Sequence, residues 1–232
     1  MPLVLGIETA TQWCAVALWN ENGPLASHSF VNAMELSRRL VPTIEALLMD
    51  EGLTPEDLTG IAVSIGPGSF TGLRIGVATA KTMAQVLNIP IIGVETMDVI
   101  ALTYEPLLLA GTRLAVTLTS RRGQYYVRWY EPPTCPEDRT IEVLTTNELR
   151  EQLALSHAGV LLLGDAALNE GLPGTGMPIL EGAHRPHALN VAYLAYPRIV
   201  RGESDDVMTL APLYVGRSAA EERRSASPAT GA

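Results

Sequence analysis

Three apolar runs open the chain, PLVLGIE (2–8), WCAVALW (13–19) and PLASHSFV (24–31), separated by the polar stretches TATQ and NENG. Runs of this length between turn residues predict strands, and Asn22-Gly23 is the dipeptide of a tight hairpin. The period then changes. Leu36, Leu40, Ile44, Leu47 and Leu48 recur at three- and four-residue spacing, which predicts a helix over 34–51 with Pro42 inside it and Gly52 at its end. GIAVSI (60–65) reads as a strand, GPGSFTG as a glycine turn, 71–88 as a second helix and IPIIGV (89–94) as a buried strand. Strand, helix, strand at this spacing predicts a parallel crossover.

A shorter version of the same order follows. The pattern predicts a helix over 98–109, then a hairpin of RLAVTL (113–118) and QYYVRWY (124–130) around Arg122-Gly123. A strand at 139–144, a helix at 145–155 capped by Thr146, a strand at 159–164 and an apolar helix at 187–201 interrupted by Pro197 complete it. The tail from Ser218 is small, polar and charged, a composition that predicts disorder. The expected architecture is an α/β fold with a duplicated β-β-β-α-β-α unit whose second half is reduced. It divides into 1–104, 105–217 and a tail at 218–232.

Hydrophobic residues make up 47% of the 232, enough for a sizeable core, while the net charge of −9 repels phosphate backbones. A role on nucleic acid therefore calls for a basic partner. Cys14 and Cys135 are too few for a disulfide framework, which fits a reducing cytosol. The N-terminal run reads as a first strand, and no stretch reaches the roughly 20 apolar residues of a membrane span.

The stretch GPGSFTGLRIG (66–76) holds four glycines in eleven residues and poses the chemical question. Backbone N–H groups of Gly68, Ser69, Thr71 and Gly72 at a helix start form a candidate anion or nucleotide site. The Gly-Lys-Ser/Thr ending of a phosphate loop is missing, since Leu73 and Arg74 follow Gly72, and a capped tight turn explains the same residues. Gly72, Gly76, Ala80 and Ala84 stand four apart and form a ridge of small residues. The ridge admits another backbone, either the preceding helix or a partner subunit.

Other chemistry is sparse. Glu8 ends the first strand, where an actin-like phosphate loop carries an aspartate, and Ala10 stands where glycine would serve. The histidines show no helical metal pair, so no metal site and no catalytic residue is expected. RRGQYYVRWY (121–130) mixes arginine with aromatics, which fits either base stacking or a cross-strand face.

GPGSFTGLRIGVATAKTMA (66–84) resembles the signature of the bacterial TsaB family, also called YeaZ. IETATQWCAVALW (7–19), PIIGVETMD (90–98) and APLY (211–214) are similar to other segments of that family, so the resemblance spans about 2–217. It implies an actin-like (ASKHA, ribonuclease H-like) fold. It also implies a non-catalytic, cytoplasmic subunit in the addition of threonylcarbamoyl to adenosine 37 of tRNAs that read codons starting with A. The implied partners are TsaD, the catalytic subunit, as a heterodimer, and TsaE as a third component, with tRNA reached only through the complex. The implied interface lies on the two N-terminal helices, at Leu40, Ile44, Leu47, Gly72, Ile75, Gly76, Thr79, Ala80 and Met83. Glu8 and Thr119-Ser120-Arg121 depart from the family pattern and weaken the case for a bound nucleotide, leaving no cofactor expected and a nucleotide at the subunit boundary as an alternative. A stand-alone ATPase or glycoprotease-like peptidase and a homodimer of the chain alone are the rival readings.

Overall fold

The computed structural model describes residues 1–32, 34–103, 113–120, 123–130, 140–156, 160–168, 172 and 185–215. The predicted tail, Cys135, His157, His184 and the end of the helix expected at 98–109 lie outside these residues. Strands β1 (Leu3–Glu8), β2 (Trp13–Asn20) and β3 (Gly23–Val31) form the meander, and helix α1 (Leu36–Asp50) follows. Strand β4 (Gly60–Gly66), helix α2 (Phe70–Leu87), strand β5 (Ile91–Glu95) and helix α3 (Thr96–Leu102) complete the first half. The second half holds β6 (Arg113–Thr119), β7 (Gln124–Tyr130), β8 (Glu142–Thr145), α4 (Thr146–Leu155), β9 (Val160–Gly164) and α5 (Ala188–Val200).

The strand orders are β3-β2-β1-β4-β5 and β8-β7-β6-β9. In each sheet the first strand pairs antiparallel with the second and parallel with the fourth, so the second sheet repeats the first without its last strand. The cap of helix α4 lies one residue earlier than its sequence suggested. Thr145 is the cap, because its hydroxyl accepts from Glu148 N (3.3 Å) while the Glu148 carboxylate accepts from Thr145 N (2.7 Å), a reciprocal pair that Thr146 does not make.

Alternation along β1 decides what each face carries. Leu3, Leu5 and Ile7 join Leu40, Ile44, Leu47, Val77 and Ala80 in one core, which places α1 and α2 on one face of the first sheet. Val4, Ala62 and Ile92 point the other way and pack on Val191, Ala192 and Ala195 of α5. Gly6 allows this second contact, since a Cβ there would meet the Ala188 carbonyl and Ala192. Helix α5, which the sequence assigned to the second half, thus covers the first sheet. Helix α3 in turn packs Met97, Ile100 and Ala101 against Leu114, Val116 and Leu163 of the second.

A buried ionic cluster locks the halves further. Arg128 of β7, 1% exposed, donates to Glu95 at the end of β5 (2.5 Å) and to Asp98 of α3 (3.1 Å), and the Tyr130 hydroxyl donates to the same Asp98 oxygen (2.7 Å). Arg113 lies over the Trp129 ring (4.9 Å), so these arginines and aromatics of the second sheet serve its interior and its cross-strand contacts. Replacing Arg128 by Met withdraws the guanidinium from Glu95 and Asp98, and removal of one partner from a buried pair costs about 3 kcal/mol. Urea unfolding of Arg128→Met is expected to show a loss of that order. Stability equal to the parent chain would mean that the cluster does not join the halves.

Candidate functional site

The glycine turn lies where β4 enters α2, facing the turn from β1 to β2. Ser69 caps α2, its hydroxyl accepting from Gly72 N at 3.2 Å. Ser69 N donates to the Ala10 carbonyl at 2.6 Å. A Cβ on Gly68 would fall on the Ala10 carbonyl, one on Gly72 on the Thr9 carbonyl, and one on Gly76 on the Thr9 hydroxyl. The glycines therefore receive the chain's own β1–β2 turn. Two of the N–H groups expected to hold an anion, those of Ser69 and Gly72, are engaged inside the chain, and Thr71 is exposed on the first turn of α2.

The small-residue ridge is consumed by the same contact. Gly72, Gly76 and Ala80 are buried in the chain's own interior, as are Leu40, Ile44 and Leu47 of α1. Within the chain itself these six pack against the first sheet, the neighbouring helix and the β1–β2 turn. Of the nine residues expected at an interface, Ile75, Thr79 and Met83 remain half-exposed.

What the two helices do present is a different apolar set. Val86 is 78% exposed and Met49 73%, with Val41 and Phe70 also open to solvent. Helical periodicity assigns residues to a face, and the seam of small residues obscured which face was outermost. Residues 203–215 extend this surface. From the end of α5 the chain runs along the edge of β5, where Asp205 N donates to the Ile91 carbonyl (2.8 Å) and the Asp205 carboxylate accepts from Gly93 N (2.7 Å). It continues along α2, where Lys81 donates to the carbonyls of Met208 (3.1 Å) and Leu210 (2.9 Å), and Leu213 N then donates to the Ile65 carbonyl (2.6 Å). Met208, 71% exposed, and Tyr214 add to the apolar surface. These long-range contacts carry no local sequence signal.

Glu8 lies on the opposite face of β1, fully buried. It accepts from Ala10 N at 2.6 Å and from the Ser64 hydroxyl. Burial raises its pKa to about 7 against the pull of those two hydrogen bonds. Burial, followed by the nearby Glu8 charge, pushes the Cys14 thiol up to about 12. Beyond the turn a cleft of about 480 Å³ separates the halves, lined by Thr11, Trp13, Ser69, Thr119, Asp165 and Arg185. Asp165 accepts from Thr119 N (2.6 Å), and the Arg185 guanidinium stacks on Trp13 at 3.4 Å. Neither pairing was visible in sequence, since each joins segments far apart. Among the described residues no three acids, histidines or cysteines come together as metal ligands, and no helix is long and apolar enough to cross a membrane.

Two β-β-β-α-β-type units of matching topology, joined by exchanged helices across a cleft, define the actin-like, ribonuclease H-like class of α/β proteins. Within it, the family described as "TsaD: tRNA N6-adenosine threonylcarbamoyltransferase" matches residues 31–131. The chain is 31% identical over 229 residues to the "tRNA threonylcarbamoyladenosine biosynthesis protein TsaB" of Bacillus subtilis, covering 95% of this chain and 96% of that one. The Escherichia coli protein of the same name is 35% identical over 128 residues, 55% of this chain and 54% of that one. The structure of YeaZ from Pseudomonas aeruginosa superposes with a TM-score of 0.75 at 27% identity, covering 93% of this chain and all of that one. The chain belongs to the TsaB family.

Two expected outcomes follow from the geometry. Gly76→Ala gains about 1 kcal/mol of helix propensity but drives a methyl into Thr9, which is fixed between sheet and helix; overpacking of about 1–3 kcal/mol wins. Thermal unfolding should show a net loss, and a raised melting temperature would contradict the contact. Glu8 binds its proton more tightly in the folded chain than in the unfolded one. Its contribution is fully present below about pH 4.5 and is lost as pH rises to about 7, by about 3 kcal/mol in all. The stability difference between the parent chain and Glu8→Gln, followed from pH 4 to pH 8, should move by that order in favour of the Gln variant as pH rises. A difference independent of pH would place Glu8 in solvent.

Proposed function

We propose that this chain acts in the synthesis of N6-threonylcarbamoyladenosine in tRNA, as a cytoplasmic accessory subunit that binds and activates a TsaD-type catalytic subunit. The observation that carries the reading is membership of the TsaB family along 95% of the chain. Two structural features support the accessory role. The glycine turn is filled by the chain's own main chain, and Glu8 is bonded inside the fold. The outer face of α1, α2 and the 203–215 segment displays large apolar side chains that a folded chain ordinarily covers. A TsaE-type ATPase joins this pair as a third component. With a net charge of −9 the chain meets tRNA through the complex, and in the absence of the catalytic subunit the same face pairs two copies of the chain.

Deletion of the gene, or its depletion where it is essential, should abolish threonylcarbamoyladenosine in bulk tRNA hydrolysed to nucleosides and read by mass spectrometry. Unchanged modification would refute the role. Val86→Glu and Met208→Glu each place a charge on the exposed face without touching the core, so the melting temperature should stay within about 2 °C of the parent. Each should weaken binding of the TsaD-type subunit about tenfold or more in calorimetric titration. Parent-like affinity in both variants would move the interface elsewhere.

A further inference from the structure

We infer that Arg74 is a preorganised fork that receives a carboxylate side chain of the TsaD-type subunit, and so fixes the register of that partner on α2; the inference rests on the reading just given. Helix α2 carries no acid, and its two cations behave differently. Lys81 is engaged on the carbonyls of Met208 and Leu210. Arg74 is exposed, its guanidinium stacked 3.8 Å over the Phe70 ring, with Nε donating to the Tyr214 hydroxyl at 3.0 Å. The Phe70 and Tyr214 rings themselves touch, with centroids 5.4 Å apart. Two residues from distant segments, Phe70 and Tyr214, thus hold one guanidinium in place. Among the described residues no acid pairs with its two terminal nitrogens.

The position is costly for a cation on a helix standing alone. Arg74 lies near the N-terminus of α2, where the helix field is already positive, and the first turn has no acid to offset it. Both fields add at one point of a chain whose net charge is −9, which makes this a local attractor for an anion. A guanidinium held by stacking and by its Nε presents the planar pair of donors that a carboxylate matches in bidentate fashion. Phe70 and Tyr214, 48% and 50% exposed, flank it and need apolar cover. A carboxylate on a folded protein surface supplies both the anion and that cover. A nucleic-acid phosphate supplies the anion alone and meets the repulsion of the remaining acids.

The test compares the parent chain with Arg74→Ala, Arg74→Lys and Tyr214→Phe in calorimetric titrations against the purified TsaD-type subunit at two salt concentrations. The parent should bind. Arg74→Ala and Arg74→Lys should both weaken binding about tenfold or more, because lysine keeps the charge and loses the fork. Tyr214→Phe should weaken it less, and the salt dependence should flatten in Arg74→Ala. Arg74 is exposed, so melting temperatures should match the parent and separate docking from folding. Parent-like binding by Arg74→Ala, or full rescue by Arg74→Lys, overturns the fork. Loss of affinity for a tRNA transcript, with binding of the catalytic subunit intact, would assign the fork to phosphate and overturn the proposal. Failure of the parent itself to bind would instead remove the accessory-subunit reading.

Discussion

The carbonyl oxygens of Thr9 and Ala10 press on Gly72 and Gly68, and Ser69 N closes the contact by donating to Ala10. A side chain at any of Gly68, Gly72 or Gly76 would separate α2 from the β1–β2 turn. That spacing fixes the depth of α2 on the sheet and leaves α1 to fill the space beside it, with Leu40, Ile44 and Leu47 closing the core. It also turns the remaining flank of α2 outward, which is why Val86 and Phe70 stand in solvent while Val77, Ala80 and Ala84 do not. The exposed face is a geometric consequence of the buried one.

The same contact answers the chemical question the glycines raise. In a phosphate loop the absent Cβ atoms leave room for ligand oxygens and the backbone N–H groups point at them. Here peptide oxygens occupy that room, and Ser69 N–H already has its acceptor within the chain. Glu8, on the other face of β1, is aimed at Ser64 and Ala10 and is closed to water. The glycine pattern serves here as a packing joint, in which small residues set the distance between α2 and the β1–β2 turn.

The strands, their succession along the chain and the duplication were legible because each depends on local signals: alternation, the Asn22-Gly23 turn, and crossovers of the right length. The identity of the ridge was legible; its occupant was not. Gly72, Gly76 and Ala80 announce a close approach without saying whose backbone arrives, and Thr9, more than sixty residues earlier in the chain, is what arrives. The same limit hid the Arg128 cluster, where the cation lies about thirty residues beyond Glu95 and Asp98. It also hid Arg74 beneath Tyr214, and the path of 203–215 along β5 and α2. Interactions between distant segments leave no periodicity behind.

The treatment of β5 shows that exposure on α2 is selective. An open strand edge invites pairing with another chain, and here residues 204–205 cover it with one main-chain bond and the Asp205 carboxylate. Arg198 holds the covering segment through Glu203 and Asp205, pairs half-exposed and individually weak, so the backbone bonds and the half-buried Val207 and Leu210 do most of the anchoring. Having covered the edge, the segment does not turn over α2 to hide Val86; it runs alongside, engages Lys81, and sets Met208 and Tyr214 into the open face. A segment long enough to bury that surface instead enlarges it. The exposed apolar side chains of α1, α2 and the strap, Met49, Val86 and Met208 foremost, are therefore ones that a second molecule can reach together, whereas the sheet edge, which any extended peptide could join, is closed.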